Sequence, residues 1–545
     1  MLKKVDGFLI FGIILGLFFC LYGLTWGRLE AWHQDEIAFQ NIFHKGELPF
    51  NPKWFYKPPF HSYFNFFLAS VPVRIIGKIL QLEPDLLNYA KVFWARTIAA
   101  MIFVASIILV YYITKRFFGI FPARAVMLLF ASSAGLIALS HFLTTDIPLM
   151  FMMLLAFYFV QNIFLGGSKW DYVWAGLLTG LATATKYNGL AIGITIVVAH
   201  ILSPGNLSWQ KLLLSRRLWI SLVAVPLGFI AGNPFAILDY RTFIADFIYN
   251  YVVTPIYDGS TGTSYGKFFL LMTEIVGWPV FVVLLSSLAF GFYFLAFEKN
   301  ASGEKKALIL LWSVFFLYYY KFGQFARLES RFVMPVLPYL MMATGPLLLR
   351  IKPRQILSLF LAGFLCYNVT CSFYVGKRFA EDPRIEAMAW VKENIPQGSS
   401  IESMRYSPEW NKMPGFMVKE TRMPHQINNR NKIFETRLQN NPWVRYRLNQ
   451  KLNNVQKTED FFTAAALQRR NPDYIALNSL YYQRFYTEKG RQYYGGIAKY
   501  TRELLAGNYG YEILFDRQSK PVPQWIYPQK ISALHNHITI LGRRY

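Results

Sequence analysis

Trp32-His33-Gln34-Asp35-Glu36 and, further on, Tyr56-Lys57-Pro58-Pro59 mark the first polar stretch of a chain that is otherwise mostly apolar. Two adjacent carboxylates, and a lysine set ahead of two prolines, make the stretch too polar and too proline-broken to span a bilayer. It follows an apolar run from about Phe8 to Trp26, itself preceded by Lys3-Lys4. The run is long for a signal peptide and lacks a small-x-small cleavage site before Arg28, so it reads as a retained first span. The polar stretch is then the first loop beyond it.

The remaining chain supports that reading. Its 545 residues are 54% hydrophobic, 18% aromatic and only 16% charged, and its mean hydropathy is +0.26. Soluble enzymes fall outside that range. At about 20 apolar residues per crossing, spans are expected near 7–27, 93–114, 121–141, 147–166, 172–186, 188–203, 217–236, 277–297, 307–321, 331–349 and 355–375. The fifth and sixth are short. Phe60 to Leu80, with Pro72, Arg74 and Lys78, fits helices lying in the interface, and 265–276 looks similar. The fold class is therefore a polytopic α-helical membrane protein of about eleven transmembrane helices, with interfacial helices in the first outer loop.

The net charge of +25 does not point to nucleic acid, because many basic residues fall in short loops between apolar segments and the rest collect in the last third. Lys3-Lys4, Lys115-Arg116 with Arg124, Lys169, Lys211 with Arg216-Arg217, Lys299 with Lys305-Lys306, and Arg350-Lys352-Arg354 fall on one side by span parity, which makes that side cytoplasmic. The other side receives Asp35-Glu36, Tyr56-Lys57, His141 to Asp146, Lys186-Tyr187, Asn233 to Asp239, Tyr257 to Lys267, Arg327 to Arg331, and the whole tail. A cytoplasmic or plasma membrane protein with its N-terminus inside and its C-terminal domain outside is expected. Cys20, Cys366 and Cys371 lie in apolar segments and form no disulfide framework.

After Val375 the composition turns polar. Asp382-Pro383-Arg384 opens a helix through Asn394 that stops at Ile395-Pro396-Gln397-Gly398, helical patterning recurs at 458–469 and about 497–506, and Tyr474–Leu477, Tyr511–Phe515 and His537–Leu541 read as strands. The expected organisation is a transmembrane catalytic domain over 1–376 and an extracytoplasmic α/β domain over 377–545. The region 405–455, rich in asparagine, arginine and tyrosine, reads equally as a binding surface or a solvated loop.

Asp35-Glu36 is the sharpest chemical signal. A solvated loop pair is the plain alternative, but Trp32, His33, Phe39, Phe50, Trp54, Phe55 and Tyr56 make this loop aromatic and hence packed, where ionised carboxylates need partners. One carboxylate held against a hydroxyl nucleophile accepts its proton; the other orients the pair or holds a divalent ion. His33 beside them invites a metal reading, yet no Cys/His set with zinc spacing exists. Lys57, its backbone restricted by Pro58, presents an ammonium suited to phosphate, or else snorkels to the interface. Arg327 and Arg331, ahead of Pro335 and Pro338, can clamp a phosphate with their planar forks. Asp146 in Thr144-Thr145-Asp146-Ile147-Pro148 is placed to cap a helix. Lys186, in Gly180-Leu181-Ala182-Thr183-Ala184-Thr185-Lys186-Tyr187, is costly between apolar segments unless it meets an anion or carboxylate. A nucleotide site finds no Walker or Gly-rich dinucleotide sequence.

In order and sidedness these motifs resemble the membrane-embedded GT-C glycosyltransferases, in the branch of protein O-mannosyltransferases and bacterial lipid A aminoarabinose transferases. The resemblance covers about residues 1 to 376, and Asp382 to Gly398 also looks like the start of the outer domain in bacterial relatives. It implies inverting transfer of a sugar from a polyprenyl-phosphate donor to a protein, lipid or glycan hydroxyl outside the cytosol. Asp35 would be the catalytic base and Glu36 its acidic partner. Lys57 and Arg331, with Arg327 and Tyr56, would hold the donor phosphate, and Asp146, Lys186 and His33 would support them. No cofactor is required, with a divalent ion at Glu36 left open. The Trp-Trp-Asp-Tyr-Gly motif of oligosaccharyltransferases is absent, Trp170-Asp171-Tyr172 being a partial echo. The rival from another class is a transporter or flippase of a lipid-linked or anionic substrate, for which no inverted repeat is seen. Asp35→Asn is expected to abolish transfer while the protein still folds and inserts, checked by product formation beside size-exclusion behaviour in detergent.

Overall fold

The computed structural model describes residues 6–27, 32–33, 36, 50–204, 214–253, 262–404, 406–407, 415–421, 441–443, 445, 462–520, 534 and 536–544. Asp35 and most of 405–455 lie outside the described residues. The chain divides into two compact units, one of residues 1–24, 38–376 and 523–529, the other of residues 25–37, 377–522 and 530–545.

The regular elements in the described part of the first unit are all helical. Helix α1 (Gly7–Leu21) is capped by Asp6, which accepts the Phe8 N–H at 3.1 Å. The Asp6 carboxylate also takes the Arg124 fork and the Tyr111 hydroxyl, joining α1 to α4 (Pro84–Phe118) and α5 (Ile120–Ala131). Between α1 and α4 come α2 (Phe60–Asn65), a π-turn over Phe66–Ser70, and α3 (Val71–Ile79). Then follow α6 (Ala134–Ser140), α7 (Asp146–Phe164), α8 (Lys169–Thr185), a 3₁₀ segment Tyr187–Gly193, α9 (Ile194–Leu202), α10 (Arg216–Gly232) and, after the single turn Phe235–Leu238, α11 (Tyr240–Val253). The unit continues with α12 (Tyr265–Phe297), α13 (Ser302–Gly323), the interrupted helical run α14 (Ser330–Arg350) and α15 (Arg354–Ala380).

Among the described residues five helices are long and apolar enough to cross a membrane, those starting at Pro84, Asp146, Tyr265, Ser330 and Arg354, and a sixth if α5 and α6, bent by 56°, count as one span. The chain is a multi-pass membrane protein. The segments expected as spans at 172–186, 188–203 and 217–236 are helices of 17, 9 and 17 residues, and 17 residues rise about 25 Å against a hydrocarbon core of about 30 Å. Within α12 the backbone leaves the helical range at Gly277 (φ 76°, ψ 165°), so 265–276 is a helix distinct from 277–297, with the boundary where the sequence reading set it. Exposed Phe8, Phe11, Ile14 and Phe18 on α1 and Leu359 and Phe360 on α15 form apolar outer faces suited to lipid.

Inside, helices approach through small residues, as membrane helices do. A Cβ built at Gly180 of α8 would lie 2.2 Å from the Val225 carbonyl of α10, so the two backbones touch there. The second unit has a five-stranded sheet in the order β2-β1-β3-β5-β4, made of β1 (Ser400–Met404), β2 (Met417–Thr421), β3 (Tyr474–Asn478), β4 (Tyr511–Gln518) and β5 (His537–Arg543). Strand β1 pairs in parallel with β2 and β3, whereas β5 runs antiparallel to β3 and β4. Helices α16 (Pro383–Asn394), α17 (Ala464–Arg470) and α18 (Glu488–Leu505) accompany it. Strands β1 and β2 were not anticipated, since Ser400–Met404 and Met417–Thr421 mix charged and apolar residues without a clean alternation. Gly180→Val is expected to push α8 from α10 and cost about 1–3 kcal/mol, seen as a lower unfolding temperature in detergent.

Candidate active site

Asp146 is the centre of the helical unit's polar cluster. It is 2% exposed, and its Oδ1 accepts Lys186 Nζ at 2.7 Å. The expected capping role does not hold: Asp146 is the first residue inside α7, Thr145 is the cap and makes no side-chain cap bond. A carboxylate this deep is better matched by a full positive charge than by a partial helix dipole. Lys186 reaches it because the chain turns extended at that residue, ending α8 before the 3₁₀ segment begins. The Lys186 ammonium also lies 5.0 Å from the centre of the Phe332 ring.

The charges of Arg331 and Lys57 act on Asp146 along with that of Lys186. Lys186 thus bonds the buried carboxylate, and Arg331 and Lys57 are near enough for their charges to act on it. Arg327 joins through Glu329, which pairs with it and with Arg331 Nε at 2.7 Å. Partial burial alone would raise the Glu329 carboxyl, but Arg331 and Arg327 more than offset this and hold it below the usual carboxylate range. Glu329 was missed as a site residue, although its place between the two arginines was the available signal. His61, on α2, also feels Asp146; burial pushes its imidazole down to about 3 in spite of that charge, so it meets the cluster neutral.

Lys57 owes its place to its neighbours' backbone. The Phe55 N–H donates to Asp246 Oδ2 at 2.8 Å, and the Phe55 carbonyl accepts the Tyr187 hydroxyl at 2.6 Å. The Tyr56 carbonyl accepts Asn250 Nδ2 at 2.9 Å, and Asn51 Nδ2 donates to Asp239 at 2.9 Å. Helix α11 therefore grips the strap just before Lys57, while Pro58 and Pro59, both buried, set the backbone after it. The dipeptide Lys186-Tyr187 serves both ends of the cluster, one side chain on Asp146 and the next on the strap. The Tyr56 ring stacks with Trp54 at 5.9 Å and meets Tyr249 at 6.0 Å.

The described residues of the acidic loop belong to the other unit. Glu36 is 1% exposed, and its N–H donates to the His33 carbonyl at 2.9 Å. Among the described residues no three His, Cys, Asp or Glu side chains converge as a metal site; Asp35, the other half of the acidic pair, lies outside the described residues.

Residues 85–231 match the family model of dolichyl-phosphate-mannose-protein mannosyltransferases, a stretch that contains Asp146 and Lys186. The whole chain superposes on ArnT from Cupriavidus metallidurans in the apo state, with a TM-score of 0.55 at 12% identity and 98% of each chain covered. The same protein bound to undecaprenyl phosphate gives 0.54 at 12% identity, again with 98% of each chain covered. The chain has the GT-C glycosyltransferase fold. A search of curated proteins finds no match.

In this GT-C chain Lys57, Lys186, Arg327 and Arg331 stand near Asp146 and Glu329, with Asp239 and Asp246 on the strap before Lys57, and the lysines and arginine forks are groups that suit a phosphate. Asp246→Ala and Tyr187→Phe are expected to loosen the Lys57 strap and weaken use of a phosphate-bearing donor by about 1–2 kcal/mol, a roughly five- to thirtyfold rise in KM. Asp246→Asn, which keeps an acceptor oxygen for the Phe55 N–H, should stay close to the parent in steady-state kinetics.

Proposed function

We propose that this protein is an inverting glycosyltransferase that moves a sugar from a polyprenyl-phosphate donor to a hydroxyl acceptor at the outer face of a cytoplasmic membrane. The observation that carries the reading is the buried Asp146 bonded by Lys186 at 2.7 Å, with Arg331 and Lys57 near enough for their charges to act on it. About eleven spans, with the N-terminus inside and the acidic pair, the cation cluster and the C-terminal unit outside, make one consistent topology.

In the reaction the acceptor oxygen attacks the anomeric carbon while the bond from that carbon to the phosphate oxygen breaks. The acceptor hydroxyl's proton passes to a carboxylate, and the departing polyprenyl phosphate gains one negative charge. Cations held in advance are worth most where charge develops, because they need no reorganisation as the bond breaks. Lys57 and Arg331 take that role, with Arg327 and Tyr56 beside them. Lys186 neutralises Asp146, so that the buried carboxylate does not repel the phosphate. Glu329 keeps the two arginine forks oriented, and a donor phosphate can replace or share its contacts. Asp35 is the base, with Glu36 and His33 supporting it. A nucleotide is not needed at such a site, because the lipid phosphate already is the leaving group.

Purified protein incubated with a panel of polyprenyl-phosphate sugars is expected to yield a new glycosidic product by mass spectrometry, and Lys57→Gln to raise the donor KM by about tenfold or more. Movement of the lipid across a vesicle membrane with no new glycosidic bond would instead identify a transporter.

A further inference from the structure

Within the helical unit, α3 and the start of α4 form a hairpin. The chain reverses at Gln81, whose φ of 52° lies in the left-handed region, and the Leu82 N–H donates to the Gly77 carbonyl at 2.8 Å. A Cβ built at Gly77 would lie 2.4 Å from Leu87 Cδ1, so the two helices are in contact there. Arg74 stands three residues before Gly77 and Lys91 four after Leu87, each one helical turn from the contact on the side away from the reversal. The hairpin therefore sets two cations opposite each other, near enough for the Arg74 charge to act on Lys91.

Like charges so placed repel each other, and no carboxylate of the hairpin answers them. Glu83 and Asp85 lie at the start of α4, and among the described residues neither forms an ion pair. What the two cations touch is neutral. Lys91 Nζ donates to Asn88 Oδ1 at 3.3 Å, and the Arg74 guanidinium carbon lies 5.8 Å from the centre of the Phe66 ring. Lys91 is half-buried and Arg74 exposed, so an anion from outside the chain can reach both. The surface beside them is apolar: Phe67, Leu68, Ile75 and Ile79 are exposed. Trp94, three residues past Lys91 and also exposed, donates its indole N–H to the Leu68 carbonyl at 3.0 Å. Cations flanked by exposed aliphatic side chains and an indole match the headgroup level of a bilayer.

We infer that Arg74 and Lys91 bind the phosphate headgroup of an anionic bilayer phospholipid, whose acyl chains lie against the exposed apolar side chains of the hairpin. The planar arginine fork suits the two free oxygens of a phosphodiester, and the lysine adds a point charge. A free phosphate ion would answer the two charges and leave the apolar surface bare. A zwitterionic lipid would cover that surface and bring a cation of its own. An anionic phospholipid matches both halves of the site, and its binding does not depend on whether the protein transfers a sugar.

Native mass spectrometry of the delipidated full-length protein in nonionic detergent, offered equal amounts of phosphatidylglycerol and phosphatidylcholine, is expected to show preferential retention of phosphatidylglycerol. Arg74→Gln and Lys91→Gln should each lower that retention about fivefold, and the double variant about twenty-five-fold, as loss of a cation at an anionic lipid surface does. Lys78→Gln removes the same charge from α3 but leaves the pair intact, and should stay within about twofold of the parent. Arg74→Lys should recover most of the binding lost in Arg74→Gln, and unfolding temperatures without added lipid should match the parent, which separates lost lipid from lost fold. Equal retention of the two lipids overturns the site, and so does a loss in Lys78→Gln as large as in Arg74→Gln. Competition by deacylated glycerophosphoglycerol as strong as by the intact lipid would identify a free-phosphate site and overturn the lipid assignment. A polyprenyl monophosphate retained in preference to phosphatidylglycerol, and lost in the double variant, would give the pair to a carrier lipid and overturn it too.

Discussion

Asp146 and Lys186 face each other at 2.7 Å inside the helical unit, with Asp146 almost wholly out of solvent. A lone charge placed so deep costs several kcal/mol, and removing either partner leaves the other uncompensated at about 3–5 kcal/mol. The pair therefore has to be assembled by the fold. Helix α7 must begin at Asp146, α8 must end at Thr185, and the chain must turn extended at Lys186 to bring the two ends together. Close glycine contact between α8 and α10 sets the depth at which α8 ends.

Around that pair lie further charges. Arg331 and Lys57 extend the positive field, and Glu329 pairs with both Arg327 and Arg331. Lys57 comes from a strap that has no regular structure of its own. Its neighbours' peptide groups are instead bonded to Asp246, Asn250 and Tyr187. An irregular backbone near a membrane survives only where such partners satisfy it, so the binding of those peptide groups and the placing of the lysine are one arrangement. In the unit that contains the sheet, Asp382 and Arg384 form a second buried pair, with Trp26 bonded to the carboxylate and Trp32 over the guanidinium.

Much of this was written in the chain. Apolar run length gave the membrane class, the arrangement of basic loops suggested one face for the polar motifs, and the cost of a lysine between apolar segments said that Lys186 needed an anion or a carboxylate. The Asp382-Pro383-Arg384 helix start and the strands at Tyr474, Tyr511 and His537 followed from local capping and alternation, which depend on neighbours in sequence. What sequence alone did not show was partner choice. Asp146 fits a capping pattern as well as it fits an ion pair, and only the approach of α8, forty residues on, decides between them. Glu329, Asp246 and Asn250 carry no motif, because their partners lie on the far side of a turn or nearly two hundred residues away. Residues 25–37 join a unit whose main body starts at Lys377, a link made by ring faces and a buried fork that no periodicity encodes. Composition and spacing determined the kinds of group this protein holds and the class of surface it presents; the tertiary structure decided which charge answers which, because pairing depends on distance in space and burial, and the chain sets neither until it folds.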